Sequence, residues 1–370
     1  MDTICVFGGG RWGRVLLGVL SKSFPHLKLI IWVCRHGYAQ NLIWLQAQNF
    51  LHVKIVQEES LAWEYTPQAV IVANASHLHG HTVKEAILRQ IPVLTEKPFC
   101  LSPDEAREII SLSKKNSVVV GVNFEFIYAS YLNEFKKYLT HVSVHTISLI
   151  WEDPFSEMRM GEQKYGDIYT PLMYDSFQHC YSIINFLWPE DILELRNVTY
   201  DVNSSVLVEL VSQSKNIKIH LSRRADNRKR KISVNEEKII LDFTSEPGFL
   251  SMNGKILQNE WLGMYPLPAV FSDFFEMISQ PSQSEKWPLN ITNWLDVVYL
   301  SAQADALLKK SQQALLSQVH PLLSNSSITR HLLVDMFLPE LSISGEYQRA
   351  HSLQEEVAFS DRVIDMMAQK

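Results

Sequence analysis

The first 124 residues alternate short apolar runs with longer amphipathic segments, and this alternation limits the possible folds more than any other feature. Runs typical of strands lie at 3–7, 27–34, 69–73, 91–94 and 118–122. Segments with helical spacing lie at 11–22, 37–49, 79–90 and 102–115, the last with Ser102 as its predicted N-cap. Alternation of this kind predicts a parallel sheet with helices on both faces and right-handed crossovers. We therefore expect a doubly wound α/β domain at the N-terminus.

After about residue 139 the pattern changes to strands that follow one another directly. Strand-like runs occur at 142–151, 206–211, 217–221, 231–234 and 239–243. Helical patterns occur at 171–187, 269–279, 292–310 and, near the C-terminus, 353–367. This order predicts an α+β domain with a large, mostly antiparallel sheet that leaves one face open. The predicted domains are 1–124, 125–310 and a helical C-terminal extension over 311–370.

Composition excludes several classes of partner. The chain of 370 residues has a net charge of -6, which argues against general attraction to nucleic acid or to anionic membranes. It has no apolar run of the roughly 18 residues that a membrane span needs and no signal-peptide pattern at its start. The four cysteines are far apart and lack metal-ligand spacing, which predicts reduced thiols and no metal site. We expect a cytoplasmic protein that acts on a small molecule.

A glycine-rich loop directly follows the first predicted strand. Gly8-Gly9-Gly10-Arg11-Trp12-Gly13 fits the pattern G-x-G-x-x-G and is followed by a predicted helix and a second strand. In such a βαβ unit the first glycine permits a tight turn, the second lets the backbone approach a pyrophosphate, and the third lets helix and strand pack closely. The N-terminus of the helix then faces the phosphate charge. The loop therefore predicts a dinucleotide site that includes Arg11 and Trp12.

The end of the second predicted strand indicates which dinucleotide is bound. NAD sites usually carry an aspartate or glutamate there, which holds the ribose hydroxyls. This chain has Cys34-Arg35-His36 instead, and a guanidinium is suited to a phosphate group. We therefore predict a preference for NADP(H), with Arg35 as the reader of the 2′-phosphate, and NAD(H) as the alternative.

Two further motifs complete a family resemblance. Glu96-Lys97-Pro98 follows the predicted strand at 91–94, and Asp175-x-x-x-His179 lies early in the second domain. With the glycine loop, these motifs make residues 1–310 resemble the glucose–fructose oxidoreductase, inositol dehydrogenase and rhizopine-catabolism family, Gfo/Idh/MocA. The resemblance implies an N-terminal Rossmann domain that binds NAD(P), and a second domain whose open sheet often forms dimers or tetramers. It also implies that Lys97, Asp175 and His179 are catalytic.

The predicted site includes further residues, and the sequence departs from the family pattern in two places. The cofactor-binding set comprises Gly8, Gly10, Arg11, Trp12, Gly13, Arg35, Ala73, Asn74, His79, Glu96 and Lys97, and the substrate-binding set comprises Lys97, Asn123, Tyr174, Asp175 and His179. Ser182 stands where the family often has an acid, three residues after the histidine. The run at 169–174 replaces the small, glycine-rich run that often precedes the aspartate. These departures concern the substrate more than the type of reaction.

The residue chemistry agrees with these implied roles. Asp175 and His179 are four residues apart, so both project from one face of a helix. A secondary alcohol gives up a hydride only as its O–H proton leaves, and imidazole is the natural base for that proton. Lys97 would stabilise negative charge that develops on the oxygen, and Asp175 would orient the substrate.

We therefore predict an NADPH-preferring oxidoreductase that interconverts a secondary alcohol and a ketone on a sugar-like or cyclitol-like molecule. Two alternatives remain: an NADPH-dependent imine reductase of a natural-product or siderophore pathway, and a non-catalytic dinucleotide sensor or scaffold. We also expect a homodimer or homotetramer that forms through the open sheet face.

A dense basic run lies at 223–231, with the sequence RRADNRKRK. Such a run could form a phosphate-binding or nucleic-acid-binding patch. In a net acidic chain, a polar hairpin between two strands is the interpretation we favour. An anionic substrate bound by one of these arginines is a third interpretation.

Overall fold

The computed structural model describes residues 2–159, 161–167, 169–201, 203–261, 265–319, 331–332 and 334–336. These residues form two compact units. The first unit runs to Asn133 and resumes between residues 262 and 299, whereas the second comprises Glu134–Trp261 and continues from Leu300. The helix predicted at 353–367 lies outside the described residues.

The first unit is built on a six-stranded parallel sheet. Its elements up to residue 133 are β1 (Thr3–Phe7), α1 (Arg11–Ser23), β2 (Leu29–Val33), α2 (Tyr38–Gln48), β3 (Val53–Val56), α3 (Glu59–Glu64), β4 (Ala69–Val72), α4 (Ser76–Leu88), β5 (Val93–Glu96), α5 (Pro103–Asn116), β6 (Val120–Asn123) and a 3-10 turn (Glu125–Tyr128). The strand order is β3-β2-β1-β4-β5-β6, so the chain reverses direction across the sheet between β1 and β4. This is the predicted doubly wound arrangement.

Local sequence explains much of this unit. The strands are buried along most of their length, as apolar runs covered on both faces should be. Ser102 caps α5 as predicted, because its side chain accepts a hydrogen bond of 3.2 Å from the Glu105 N–H. The sequence interpretation missed β3 and α3, which are only four and six residues long.

A late segment of the chain returns to complete the first unit. It contains α8 (Pro266–Ser279), 3-10 turns at Pro281–Lys286 and Ile291–Trp294, and the start of α9 (Leu295–Val319). Phe24, after α1, packs edge-on against Phe275 of α8 at 5.1 Å. Trp287 lies over Gly121 of β6, where an added Cβ would come within 2.1 Å of the indole. The N–H of Val122 donates a hydrogen bond of 2.8 Å to the Leu289 carbonyl. The returning segment therefore supplies part of this unit's core.

The second unit contains an eight-stranded sheet. Its elements are α6 (Ser130–Leu139), which begins in the first unit, then β7 (Thr146–Glu152), β8 (Ser156–Arg159), β9 (Glu162–Tyr165), α7 (Leu172–Leu187), β10 (Glu194–Tyr200), β11 (Ser205–Val211), β12 (Asn216–Ser222), β13 (Lys229–Val234), β14 (Ile239–Asp242), β15 (Phe249–Met252) and β16 (Lys255–Gln258). The strand order is β10-β11-β12-β7-β13-β14-β15-β16, and β8 pairs separately with β9. Every pair in the large sheet is antiparallel except β12 with β7. The predicted mostly antiparallel sheet is confirmed.

The two faces of this sheet differ in burial. Along β7, the side chains of Ile147, Leu149 and Trp151 are buried, and α7 packs against this strand and β12. The alternate residues, such as Ser148 and Ile150, remain partly exposed. One face therefore forms the core with α7, and the other is open, as its alternation predicts.

The basic run at 223–231 is not the predicted hairpin. Strands β12 and β13 do not pair with each other, because each pairs with β7 from opposite sides. The connection therefore crosses the end of β7, where Leu221 and Arg230 are both register partners of Trp151. Several of its basic side chains form ion pairs, such as Arg228 with Asp153 at 3.4 Å. Much of the positive charge in this run is therefore neutralised inside the unit.

Among the described residues, no helix is long and apolar enough to cross a membrane. In the same part of the chain, no cluster of histidine, cysteine, aspartate and glutamate side chains could hold a metal ion.

Candidate active site

The glycine loop lies between β1 and α1 at the carboxyl edge of the parallel sheet. Gly8 has a φ of +137°, and a Cβ there would lie 2.2 Å from the Ala73 carbonyl oxygen. A Cβ at Gly13 would lie 2.0 Å from the Gly8 oxygen. Both positions therefore need glycine: Gly8 for the turn and its approach to β4, and Gly13 for the packing of α1 on the loop. Ala73, which follows β4, is thus in direct contact with the loop.

Gly10 is glycine for a different reason. A Cβ there would meet no protein atom within 4 Å, so the position borders open space. Gly10 is also the N-cap of the 13-residue helix α1, and a glycine has no side chain that could cap the first-turn N–H groups. The first-turn N–H groups of α1, which begins with Arg11 and Trp12, are therefore oriented to receive an anion. The pyrophosphate of a dinucleotide fits this loop.

Two side chains outside the motif hold the loop in place. The Trp32 indole on β2 donates a hydrogen bond of 2.8 Å to the Gly8 carbonyl. Asn41 on α2, 2% exposed, donates to the Gly9 carbonyl at 2.7 Å and accepts from Arg14 at 3.2 Å. Sequence reasoning missed both residues. A polar side chain in the helix after β2 and an indole in the strand beside the loop were the available signals.

Arg35 lies just after β2, beside the segment that Asn41 contacts. Its side chain is exposed, as are His36 and Gly37. Asn41 contacts Cys34 with a distance of 3.6 Å between the amide nitrogen and Sγ, and burial raises the pKa of that thiol to about 12. The structure therefore places a solvent-accessible guanidinium at the end of β2, one residue after Cys34. Cys34 is contacted by Asn41, the side chain that holds the glycine loop.

His79 of α4 ties two loops of the site together. It is buried, and its ring nitrogens lie 2.7 Å from the Pro98 oxygen and 3.0 Å from the Asn74 oxygen. Burial lowers the pKa of His79, although its contacts with the backbone oxygens act in the opposite direction. The side-chain amide of Asn74 donates to Thr82 at 3.0 Å. His79 thus connects the loop after β4 with the loop after β5.

Glu96, Lys97 and Asn123 meet at the ends of β5 and β6. Glu96 and Asn123 are register partners, and the Asn123 amide donates a hydrogen bond of 2.7 Å to Glu96 Oε1. Burial of the carboxyl is the largest influence and raises the pKa of Glu96 to about 7, although Trp12, Asn123 and Lys97 act in the opposite direction. Lys97 is half-buried, and its peptide bond to Pro98 is cis. Lys97 is therefore the next residue in the chain after a carboxyl whose pKa lies at about 7.

The second unit carries the other predicted catalytic residues on α7. Asp175 and His179 are half-buried and lie one helical turn apart, while Tyr174 is buried. Arg223 forms an ion pair of 3.3 Å with Asp175. This partner was not predicted, although the basic run was the signal that contained it. Ser182, at the position where the family often has an acid, donates a hydrogen bond of 2.8 Å to the His179 carbonyl.

Comparison with known proteins agrees with this fold. Residues 3–124 match the model of an oxidoreductase family with an NAD-binding Rossmann fold, Gfo/Idh/MocA. No curated protein sequence matches the chain.

Solved structures match most of the chain. UDP-N-acetylglucosamine 3-dehydrogenase GnnA from Acidithiobacillus ferrooxidans is 14% identical, with a TM-score of 0.66, over 84% of this chain and 98% of that protein. A myo-inositol dehydrogenase from Corynebacterium glutamicum is 15% identical, with a TM-score of 0.63, over 84% and 97%. The 3-ketoreductase KijD10 from Actinomadura kijaniata, in complex with TDP-benzene and NADP, is 11% identical, with a TM-score of 0.68, over 83% and 98%. At these identities the likeness shows a shared fold.

The fold, the glycine loop and the family match define an NAD(P)-dependent oxidoreductase, either a dehydrogenase or a reductase. The chain carries the NAD-binding Rossmann domain of the Gfo/Idh/MocA family over residues 3–124. The resemblance drawn from the sequence motifs is thereby confirmed.

Proposed function

We propose that this protein is an NADPH-preferring oxidoreductase that interconverts a secondary alcohol and a ketone on a sugar-like or cyclitol-like molecule. The observation that carries this proposal is the pair on α7, where Asp175 and His179 share one helix face and Asp175 is ion-paired with Arg223. A carboxylate oriented by an ion pair and one turn from an imidazole suits the binding of a hydroxyl and the transfer of its proton.

Each proposed residue has a distinct task. His179 accepts the hydroxyl proton during oxidation and returns it during reduction. Asp175 accepts a hydrogen bond from the substrate and so orients it. Lys97 supplies a cation that stabilises negative charge on the reacting oxygen. When bound at the glycine loop, the nicotinamide cofactor supplies or accepts the hydride.

The preference for NADPH rests on Arg35. Its exposed guanidinium follows β2, where an acidic residue would favour NAD, and a planar fork of donors suits a 2′-phosphate. One structural neighbour, KijD10, is described in complex with NADP, and another, GenD2 from gentamicin A biosynthesis, in complex with NAD. The fold therefore accommodates both cofactors, and this chain's own residues favour NADPH.

The substrate class rests on the kind of enzyme that shares this fold. The neighbours include a UDP-N-acetylglucosamine 3-dehydrogenase, a myo-inositol dehydrogenase and a 3-ketoreductase. A ring hydroxyl or the corresponding ketone is the functional group common to these names. We extend that class to this chain because it carries an acid–base pair of the required type on α7.

The test begins with parallel fluorescence titrations of the protein with NADPH and NADH. Tighter binding of NADPH supports the assignment of Arg35, whereas equal affinities remove it.

The protein is then assayed with NADP⁺ against myo-inositol and UDP-N-acetylglucosamine, and with NADPH against cyclic ketones and a cyclic imine. Turnover of an alcohol or ketone that is lost in Lys97→Ala and His179→Gln supports the proposal. Turnover of the imine alone supports the imine reductase, and tight cofactor binding without any turnover supports a sensor.

We further propose that the open face of the eight-stranded sheet joins two copies of the chain. A row of register neighbours crosses four strands of this face: Leu207, His220, Ile150 and Lys231. Leu207 and Ile150 add apolar area to a polar surface, which is typical of the core of a subunit interface. Light scattering should give a dimer or tetramer for the natural protein and a monomer for Leu207→Asp with Ile150→Asp. A monomer in both cases would contradict this assembly.

A further inference from the structure

Trp151 on β7 contacts both a buried cation and the proposed acid–base residue. Its indole is stacked on the His179 imidazole, with ring centroids 4.9 Å apart and planes inclined by 20°. The guanidinium carbon of Arg230 lies 3.8 Å from the centroid of the Trp151 ring. Trp151 is 4% exposed, and it belongs to a central strand of the sheet. It is therefore the fixed member of these contacts.

Arg230 is itself held rigidly. It is the register partner of Trp151 on the neighbouring strand β13, and it is 2% exposed. Its guanidinium forms an ion pair of 2.6 Å with Asp153 and donates hydrogen bonds to the carbonyls of Glu152 and Lys229, at 2.6 Å and 3.0 Å. These contacts on several sides of one planar group prevent it from rotating. A continuous series of contacts thus runs from Asp153 through Arg230 and Trp151 to His179.

This series acts on the orientation of the imidazole, which matters for proton transfer. An imidazole must present a ring nitrogen to the reacting hydroxyl at hydrogen-bond distance, and small errors in position are costly. Stacking fixes the plane of the ring and leaves both nitrogens at the ring edge, where hydrogen bonds form. His179 is half-buried on α7, and the indole of Trp151 covers one face of its ring.

We propose that Trp151, held by Arg230, is a positioning residue that sets the ring plane of His179. This inference rests on the proposed role of His179 as acid–base. The proposed role of Trp151 differs from that of an ordinary core side chain, because the role requires a flat aromatic face as well as apolar volume.

The decisive experiment is proton–carbon NMR of the full chain labelled at the histidine Cε1, with and without NADPH. The His179 resonance is assigned by its disappearance in His179→Gln. We expect it upfield of the position of an exposed histidine, because it lies over the indole ring. It should move downfield in Trp151→Leu, which keeps an apolar side chain but removes the aromatic face, and stay nearer its original position in Trp151→Phe. A resonance that does not move in Trp151→Leu would overturn the inference.

A matched control separates this effect from a general loss of packing. Phe135 is fully buried in the same unit, so Phe135→Leu removes a comparable aromatic ring elsewhere. We expect it to lower stability without moving the His179 resonance. A shift as large as that of Trp151→Leu would show that the resonance reports loosening of the core, and would overturn the inference.

Turnover of the compound found in the substrate screen then tests the consequence for catalysis. Trp151→Leu should lower kcat on the order of 10- to 100-fold, with little change in KM, and Trp151→Phe should recover most of it. A shifted resonance with unchanged kcat would show that the stack does not position a working base. Unchanged kcat in His179→Gln would instead overturn the proposed acid–base role. The shift of the His179 resonance in Trp151→Leu would still show whether Trp151 stacks on His179. The two failures are therefore distinguishable.

Discussion

The side-chain amide of Asn123 donates a hydrogen bond of 2.7 Å to Oε1 of Glu96, linking the ends of two neighbouring parallel strands. Burial at this position raises the pKa of the carboxyl to about 7. The protonation state of Glu96 therefore changes near neutral pH, directly before Lys97 in the chain.

This raised pKa predicts a pH-dependent stability. Between the ordinary glutamate pKa and about 7, folded Glu96 holds a proton that the unfolded chain has released, so its contribution to stability falls as the pH rises. Above pH 7 the buried charge costs at most about 3 kcal/mol. We expect Glu96→Gln to have a higher urea midpoint than the natural protein at about pH 8, and a similar midpoint at about pH 5. Glu64→Gln, at an exposed carboxyl, is the control, and a difference that is constant with pH would refute the prediction.

Gly121 is predicted to tolerate no side chain. A Cβ there would approach the buried Trp287 indole to 2.1 Å, and that indole is fixed by stacking on Phe274 and by a hydrogen bond of 2.9 Å to Asp273. We expect Gly121→Ala to destabilise the protein by about 1–3 kcal/mol. Gly18→Ala is the matched control: its Cβ would meet nothing within 4 Å, so a gain of up to about 1 kcal/mol is expected on helical grounds. Thermal unfolding of both variants makes the comparison, and equal effects would contradict it.

Lys97 is predicted to matter for turnover and little for cofactor affinity. Replacing it with alanine removes the cation proposed to stabilise charge on the reacting oxygen, so kcat should fall on the order of 100- to 1,000-fold. The Kd for NADPH should change only a few-fold, because the glycine loop is untouched. Lys115→Ala, at an exposed position on α5, should leave both quantities unchanged. Steady-state kinetics with fluorescence titration tests this, and full activity in Lys97→Ala would remove the lysine from the reaction.

Arg35 is predicted to discriminate between the two dinucleotides. Arg35→Gln loses a charged hydrogen-bond donor to the 2′-phosphate, which should weaken NADPH binding on the order of 10- to 100-fold. NADH carries no such phosphate, so its affinity should hardly change. An equal loss of affinity for NADPH and NADH would show that Arg35 does not bind the 2′-phosphate.

Asn41 offers the contrasting case. Its amide holds the Gly9 carbonyl and its carbonyl oxygen accepts from Arg14, so Asn41→Ala disturbs the loop itself. We expect the affinities for NADPH and NADH to fall by the same factor, in the same titrations. A selective loss of NADPH would place Asn41 in cofactor discrimination instead.

Some of this architecture was predictable from local sequence. Alternation and the glycine spacing predicted the parallel sheet and its loop, because both signals concern residues that are close in the chain. The strands β3 and β8 are too short to give a clear period, so the sequence did not indicate them. The apolar face of α8 is visible in the sequence, but no pattern states which sheet it covers.

The supporting side chains of the candidate site were harder to predict. Trp32 lies in an apolar strand and Trp151 lies on the apolar side of an alternating strand, so both look like ordinary core residues. Their roles depend on which strand or helix lies alongside: β1 with its loop for Trp32, and α7 with His179 for Trp151. The basic run was misread as a hairpin because strand pairing across β7 is a long-range property. Spacing within the chain does not contain this information.

The return of residues after 261 to the first unit affects how the protein is made. Amino-terminal domains generally begin to fold while the ribosome is still synthesising the rest of the chain. Here the nascent first unit has all six strands once β6 has emerged, but Trp287 and α8 arrive only after the whole eight-stranded sheet has been translated. During that interval the surface around Gly121 lacks its indole cover. A nascent chain, or a fragment ending at Asn133, therefore exposes an apolar surface that chaperones recognise, and the two units complete their folding in an interleaved order.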